Sequence, residues 1–182
     1  MNLRKADIND AERILEFYKI IIANSKSDKF NPKWNDKYPN LEFIKSTIIK
    51  EELFTLNNDE NIIASVIVND SFNEEYENLN WIVNAKYGEF AVIHTFAVHP
   101  KYSGKGIGKN IFNQIKENAL KNNQKSIRID VIDGNVGAEK VFRKLGFKYI
   151  DTVELQHNAV GLEKFHLYEY PLKKIDRSFK LL

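Results

Sequence analysis

The stretch "FAVHPKYSGKGIGKNIF", residues 96–112, decides how the rest of the chain is arranged. It joins an apolar run at 89–98 to a helical pattern at 106–121. Between them lie Gly104, Gly106 and Gly108 at alternate positions, with Lys105 and Lys109 beside them. A strand, a glycine-rich turn and a helix start, in that order, make an anion cradle. Backbone amides point into the turn, the helix N-terminus adds a positive dipole end, and missing Cβ atoms let an anion approach. A tight turn alone needs one glycine, so three beside two lysines favour anion binding. The common nucleotide motifs fail on spacing. A P-loop requires GxxxxGK followed by Ser or Thr, whereas here Ser103 precedes Gly108 by five and Asn110 follows Lys109. A dinucleotide fingerprint requires GxGxxG early in a parallel βαβ unit, whereas this run is GxGxG after antiparallel-type strands.

Working outward, residues 2–6 form a short strand, and Asp7 or Asn9 caps a helix with Ile8, Ala11, Leu15, Tyr18 and Ile22 on its apolar stripe. A polar loop at 24–40 carries Trp34 and Tyr38, and a second helix covers 41–51. Strands near 53–57 and 61–69 flank the turn "NNDE". Residues 70–88 are acidic and irregular, with "NLNWIV" as a strand extension. After the glycine turn, the 106–121 helix buries Ile107, Ile111, Ile115 and Ala119. "SIRIDVI" (126–132) alternates as a strand. "NVGAEKVFRKLG" is a short helix capped by Asn135 and ended by Gly146. Two antiparallel strands close the chain. The order β-α-α-β-β-β-α-β-α-β-β predicts an α/β domain over 1–182, with helices flanking a mixed, mostly antiparallel central sheet.

Composition narrows the function. The 182 residues carry 27 basic and 25 acidic side chains, a balance too even to point to nucleic acid or a membrane surface. There is no cysteine, which excludes disulfides, thiol nucleophiles and thiolate metal sites. His94, His99, His157 and His166 do not form a helical zinc pair, so no metal is expected. The polar N-terminus and the lack of a long apolar run point to a cytoplasmic protein.

With these residues in view, "FAVHPKYSGKGIGKNIF" resembles the acyl-CoA-binding motif of the GNAT family of N-acetyltransferases, whose signature is Q/R-x-x-G-x-G/A after a strand. "NVGAEKVFRKLGF" (135–147) resembles the family's N-x-x-A-x-x-x-Y-x-K-x-G-F run, and "LRKADINDAERILEFY" its first strand and helix. The resemblance implies acetyl transfer from acetyl-CoA (coenzyme A) to a primary amine, a small molecule or a peptide amino group, by direct attack in a ternary complex. It places the pyrophosphate on residues Ser103, Gly104, Lys105, Gly106, Ile107, Gly108 and Lys109. It places the pantetheine arm along the backbone of Phe96, Ala97 and Val98, with the Val98 amide donating to the thioester oxygen, and on Asn135 and Phe142. Two positions depart from the pattern. Ser103 stands where Q/R is usual, and Phe142 stands where many relatives carry a tyrosine acid.

The amine must lose a proton, because a free alkylamine has a pKa near 10.4. Asp130 is the first candidate base and His94 the second, with Glu89 behind them. Without the tyrosine acid, the thiolate could leave unassisted, through water, or with a proton from another tyrosine such as Tyr149 or Tyr168. Trp34, Tyr38, Tyr76 and Trp81 are candidate aromatic contacts for the acceptor. Asp70, Glu74, Glu75 and Glu77 make an acidic cluster able to attract a cation. The basic C-terminal "KKIDRSFK" reads as a solvated tail, whereas Phe179, Leu181 and Leu182 could pack on the core or on a second subunit, so monomer and homodimer both stand. Two rival readings remain open: an acyl-CoA sensor with little turnover, motivated by Ser103 and Phe142, and a phosphate-binding or nucleic-acid module.

Overall fold

The computed structural model describes residues 1–25, 30–58, 61–77, 79–157 and 160–172. Seven strands form one sheet: β1 (Arg4–Lys5), β2 (Leu53–Asn58), β3 (Asn61–Asn69), β4 (Phe90–Val98), β5 (Ser126–Ile132), β6 (Lys148–His157) and β7 (Gly161–Pro171). Their spatial order is β1-β2-β3-β4-β5-β7-β6. Every pairing is antiparallel except β4 with β5. The parallel pair needs a crossover, and that crossover is the glycine turn and its helix. Among the described residues, four α-helices accompany the sheet: α1 (Ala11–Asn24), α2 (Leu41–Ile49), α3 (Ile107–Lys121) and α4 (Val136–Leu145).

Side-chain alternation along β4 and β5 sorts the two faces. Ala91, Ile93, Ile127, Ile129 and Val131 pack with Ile111, Phe112, Ile115 and Ala119 of α3 and Phe142 of α4. On the other face, Ile14, Phe17 and Tyr18 of α1 and Ile44 and Ile48 of α2 pack with Leu53, Ile62 and Ile67. Val92, His94, Arg128 and Asp130, at the alternate positions, therefore face away from α3 and α4.

Three local readings are corrected. Asp7 caps a 3-10 turn at Ile8–Asp10 rather than α1 itself. The buried stripe of α1 is Ala11, Ile14, Phe17 and Tyr18, rotated from the expected one, because Ile8 lies in that 3-10 turn and is 45% exposed. Of "NLNWIV", the described residues 79–83 join no strand ladder. They are anchored by side chains instead. The Val83 amide donates to Glu169 Oε2 at 3.0 Å, and Trp81 Nε1 donates to the Tyr76 carbonyl at 2.8 Å. Arg128 explains this anchoring. Its guanidinium donates to Glu169 Oε1 at 3.1 Å and lies 4.1 Å from the ring centroids of both Trp81 and Phe90. Both members of this ion pair are buried, and burial pulls the Arg128 pKa below its ordinary value. A buried charge persists only with such a partner. The pair clamps the 72–83 region onto the sheet. The "NNDE" turn lies partly, and the C-terminal "KKIDRSFK" tail wholly, outside the described residues.

Candidate active site

The site begins where β4 and β5 part. Their parallel ladder pairs Phe90 with Ser126 and ends at Ile93 with Ile129. Residues 94–98 of β4 and 130–132 of β5 continue beyond it unpaired to one another. A bulge in β4 marks the fork. Ser65 of β3 faces Ala97, while Ile67 faces His94, so Thr95 and Phe96 oppose the single residue Val66. Thr95 takes φ +44°, a left-handed conformation that costs a threonine on the order of 1–2 kcal/mol. Tyr18 holds it there. Its hydroxyl lies 3.0 Å from the Thr95 carbonyl and 3.0 Å from Ser65 Oγ. A carbonyl can only accept, so Tyr18 gives its one proton to Thr95 O, and the serine hydroxyl can supply the other bond. Burial raises the Tyr18 pKa, which keeps this donor protonated.

Beyond the bulge, His99 N donates to Ile63 O on β3 at 2.8 Å. Successive amides of a strand point to opposite sides, so the Val98 amide faces the fork. The open edge at 96–98 has the donors and acceptors to pair with an extended, amide-bearing ligand.

Past that edge lies the glycine turn. Gly104 and Gly106 take φ +76° and +78°, and Gly106 occupies the N-cap of α3. Among the described residues, the amides of residues 104–109 donate to no backbone carbonyl. Helix N-termini always leave such donors. Here the turn adds more of them in series, an arrangement that fits a pyrophosphate. Of the two turn lysines, Lys109 lines the cleft, while Lys105 lies over the Tyr102 ring at 5.1 Å. Ser103 lines the cleft and offers only a short hydroxyl.

The cleft is about 1150 Å³ and runs from this turn through the fork to the opposite face of the sheet. Phe96 and Phe142 wall its cofactor side, with ring centroids 6.2 Å apart. Asn135 caps α4, and its Oδ1 accepts from Ala138 N at 3.4 Å and from Asn31 N at 3.2 Å. Its side-chain nitrogen has no partner among the described residues. Thr95 Oγ1, at the bulge, is buried and also without a partner there. These two polar atoms, the open strand edge and the amide cradle fit a coenzyme A chain.

On the opposite face, His94 and Asp130 occupy the pair of positions immediately after the last rung. His94 Nε2 lies 2.9 Å from Asn69 Oδ1 and 3.1 Å from the Ser71 carbonyl. The Asn69 amide is oriented by its own bonds, Nδ2 to Glu52 and Oδ1 from Ser71 N. Both partners of Nε2 are acceptors, so Nε2 carries a proton and Nδ1 is the nitrogen left to take one. Asp130 Oδ2 accepts from the Tyr76 hydroxyl at 2.8 Å. Asp130 and Arg128 share a face as their alternation predicts, but Arg128 is spent on Glu169 and does not pair with Asp130.

Trp34, Tyr38 and Tyr76 line the same cleft. Trp81 does not, because its ring is stacked on Arg128. Glu89 is withdrawn from the base candidates by its bond to Lys125 at 2.6 Å, outside the cleft. Tyr149 and Tyr168 are likewise out of reach. Tyr149 bonds Thr152, and buried Tyr168 donates to Glu139, with its pKa pushed up to about 12 mainly by burial. Neither lines the cleft. The acidic residues at 74, 75 and 77 are exposed and also lie off it. The described residues of the 24–40 loop, a candidate for substrate recognition from its length and position, cover the acceptor side of the cleft. Residues 30–40 cross it, tied by Asn31 to Asn135 and by Lys33 to Glu163 at 2.6 Å.

Comparison with known proteins agrees with the geometry. The family model described as Acetyltransferase (GNAT) family matches residues 20–147. An uncharacterized N-acetyltransferase of Methanocaldococcus jannaschii is 35% identical over 75 residues, 41% of this chain. The aligned part spans about a third, 33%, of that relative's length. A GNAT-family acetyltransferase structure from Streptococcus agalactiae superposes with TM-score 0.74 at 20% identity, covering 95% of this chain and 96% of its own. A putative acetyltransferase from Salmonella typhimurium, solved with its cofactor acetyl-CoA, superposes with TM-score 0.66 at 15% identity, covering 95% and 94%.

Proposed function

Since the chain belongs to the Acetyltransferase (GNAT) family, we propose that it moves an acetyl group from acetyl-CoA to a primary amine, by direct attack of the amine in a ternary complex. The observation that carries this reading is the fork. One cleft joins an amide cradle on the α3 and α4 side to a carboxylate and an imidazole on the other. When bound, acetyl-CoA supplies an acetyl group activated as a thioester. The amides of 104–109 with Lys109 hold its phosphates, and the 96–98 edge with Asn135 pairs with its amide-bearing arm. The Val98 amide polarises the reacting carbonyl, and such a preorganised donor is typically worth about 10²–10³ in rate.

The acceptor amine arrives on the face of His94 and Asp130. It arrives mostly protonated, and a positioned base is worth about 10²–10⁴-fold. Nδ1 of His94 and the carboxylate of Asp130 are the two groups able to take that proton. Phe142 gives no proton to the departing sulfur, and of the tyrosines lining the cleft, Tyr102 lies under Lys105 at the glycine turn. Tyr76 is committed to Asp130, and burial raises the pKa values of both Tyr38 and Tyr76. The sulfur therefore leaves without an acid from this chain.

Thermal unfolding with and without acetyl-CoA tests the premise, followed by thiol release with a panel of amines. Stabilisation by millimolar acetyl-CoA together with amine-dependent thiol release is the expected result. Stabilisation without release for any amine would instead favour an acyl-CoA sensor, the reading to which Phe142 and Ser103 lend weight. No stabilisation would remove both.

A further inference from the structure

We infer that the acceptor is a primary amine carried on an apolar or aromatic body, with no carboxylate beside the amine; this rests on the acetyl-transfer reading above. Asp130 is the starting point. It is half-buried in the cleft, one oxygen accepts from Tyr76, and no basic side chain pairs with it among the described residues. A carboxylate out of bulk water needs either a cation or several hydrogen bonds. The cations that could have served are committed elsewhere: Arg128 to Glu169, and Lys33 to Glu163. The protonated nitrogen of His94 faces Asn69 and Ser71. An ammonium ion on the substrate is the missing partner.

The surroundings fix what that ammonium is attached to. Trp34, Tyr38, Phe72 and Phe165 line this half of the cleft. Ring faces attract an ammonium and bury an apolar body. Among the described residues, a substrate carboxylate would find little to pair with on this side. Among the described residues, the lysines lining the cleft are Lys50, Lys109 and Lys144. Lys109 and Lys144 sit on α3 and α4, on the cofactor side of the sheet. Lys50 is exposed, and Glu52, two residues on, also lines the cleft. A carboxylate on the amine-bearing carbon would also be held close to Asp130, where like charges out of bulk water repel strongly.

Phenethylamine and phenylalanine differ only by that carboxylate, so they separate the possibilities. Calorimetric titration of each into the coenzyme A-saturated protein reads recognition apart from chemistry. Phenethylamine should bind at least about tenfold more tightly than phenylalanine, the scale of one charge-assisted hydrogen bond. Asp130→Asn should weaken phenethylamine about tenfold or more and leave coenzyme A binding unchanged. Equal or tighter binding of phenylalanine, binding of neither amine, or an Asp130→Asn variant indistinguishable from wild type would each overturn the inference and leave the acetyl-transfer reading intact. If coenzyme A itself fails to bind, the parent reading falls and takes this one with it.

Discussion

Gly106 and Gly108 lie two residues apart in the same turn, yet alanine should act oppositely at the two. Gly106 takes φ +78°, and a Cβ built there meets nothing within 4 Å. Gly106→Ala therefore has space but the wrong backbone, and an L-residue in that region costs about 1–2 kcal/mol. Gly108 has no such constraint. It lies in the first turn of α3, and its added Cβ would meet only Phe96 Cζ at 3.8 Å, an ordinary contact. Gly108→Ala should stabilise the protein by about 0.5–1 kcal/mol through the lower conformational entropy of the unfolded chain. For a chain of this size, each kcal/mol moves Tm by about 2–4 °C. The assay is thermal unfolding of both variants, with and without acetyl-CoA. Gly106→Ala should lower Tm by about 2–8 °C and lose most of the cofactor-induced rise, because a shifted φ redirects the amides at 107 and 108. Gly108→Ala should raise Tm by about 1–4 °C and keep the cofactor rise, since the amide is retained and the family pattern accepts alanine there. If Gly106→Ala kept both its Tm and its response to acetyl-CoA, the argument that the left-handed glycine aims the cradle would be refuted.

Tyr18→Phe removes the proton donor to the Thr95 carbonyl and strands a buried acceptor. The expected loss is about 1–3 kcal/mol in urea unfolding, together with a kcat drop larger than any change in KM for acetyl-CoA; a fully stable variant with normal kcat would count against the pinned bulge. Glu169→Gln leaves Arg128 buried without its counter-charge, so it should cost about 3–5 kcal/mol and loosen the hydrogen-exchange protection of residues 72–83; unaltered protection there would show that the clamp does not depend on this pair. Asp10 is buried and accepts from Arg4 at 2.7 and 3.0 Å, which holds its carboxyl below the usual range. A depressed folded-state pKa means that its contribution is fully present above about pH 4 and is lost as pH falls through the folded value. Asp10→Asn should therefore cost about 1–2 kcal/mol at pH 7 and progressively less below pH 4; an equal deficit at pH 7 and pH 2.5 would contradict this assignment.

The parts of the fold legible in the chain are those written in local rules. The alternating "SIRIDVI" is β5 with the expected bounds, Ser126–Ile132, because one strand face must be apolar. Asn135 and Gly146 bracket α4 because a side-chain acceptor and a left-handed residue are what helix ends require. The amide cradle was legible for the same reason: glycine spacing encodes backbone conformation, and backbone conformation aims the amides. The α1 stripe was misjudged because its first turn is a 3-10 turn, which shifts the phase of everything after it. Trp81 was misassigned because an aromatic in an irregular segment carries no sign of whether it faces a ligand or a neighbour. Only Arg128, 47 residues further on, decides that.

By itself, then, the sequence determined the order of the elements, the conformation of the glycine turn and the residue types available to bind a phosphate-bearing cofactor. Each of these depends on interactions within a few residues, which composition and spacing express directly. The tertiary structure alone decided where β4 and β5 part, that His94 and Asp130 are the first positions past that point, and that Arg128 is spent on Glu169 and leaves Asp130 without a basic partner among the described residues. Those facts depend on strand register and on pairings across tens of residues. No local pattern encodes which of several possible partners a charge will meet.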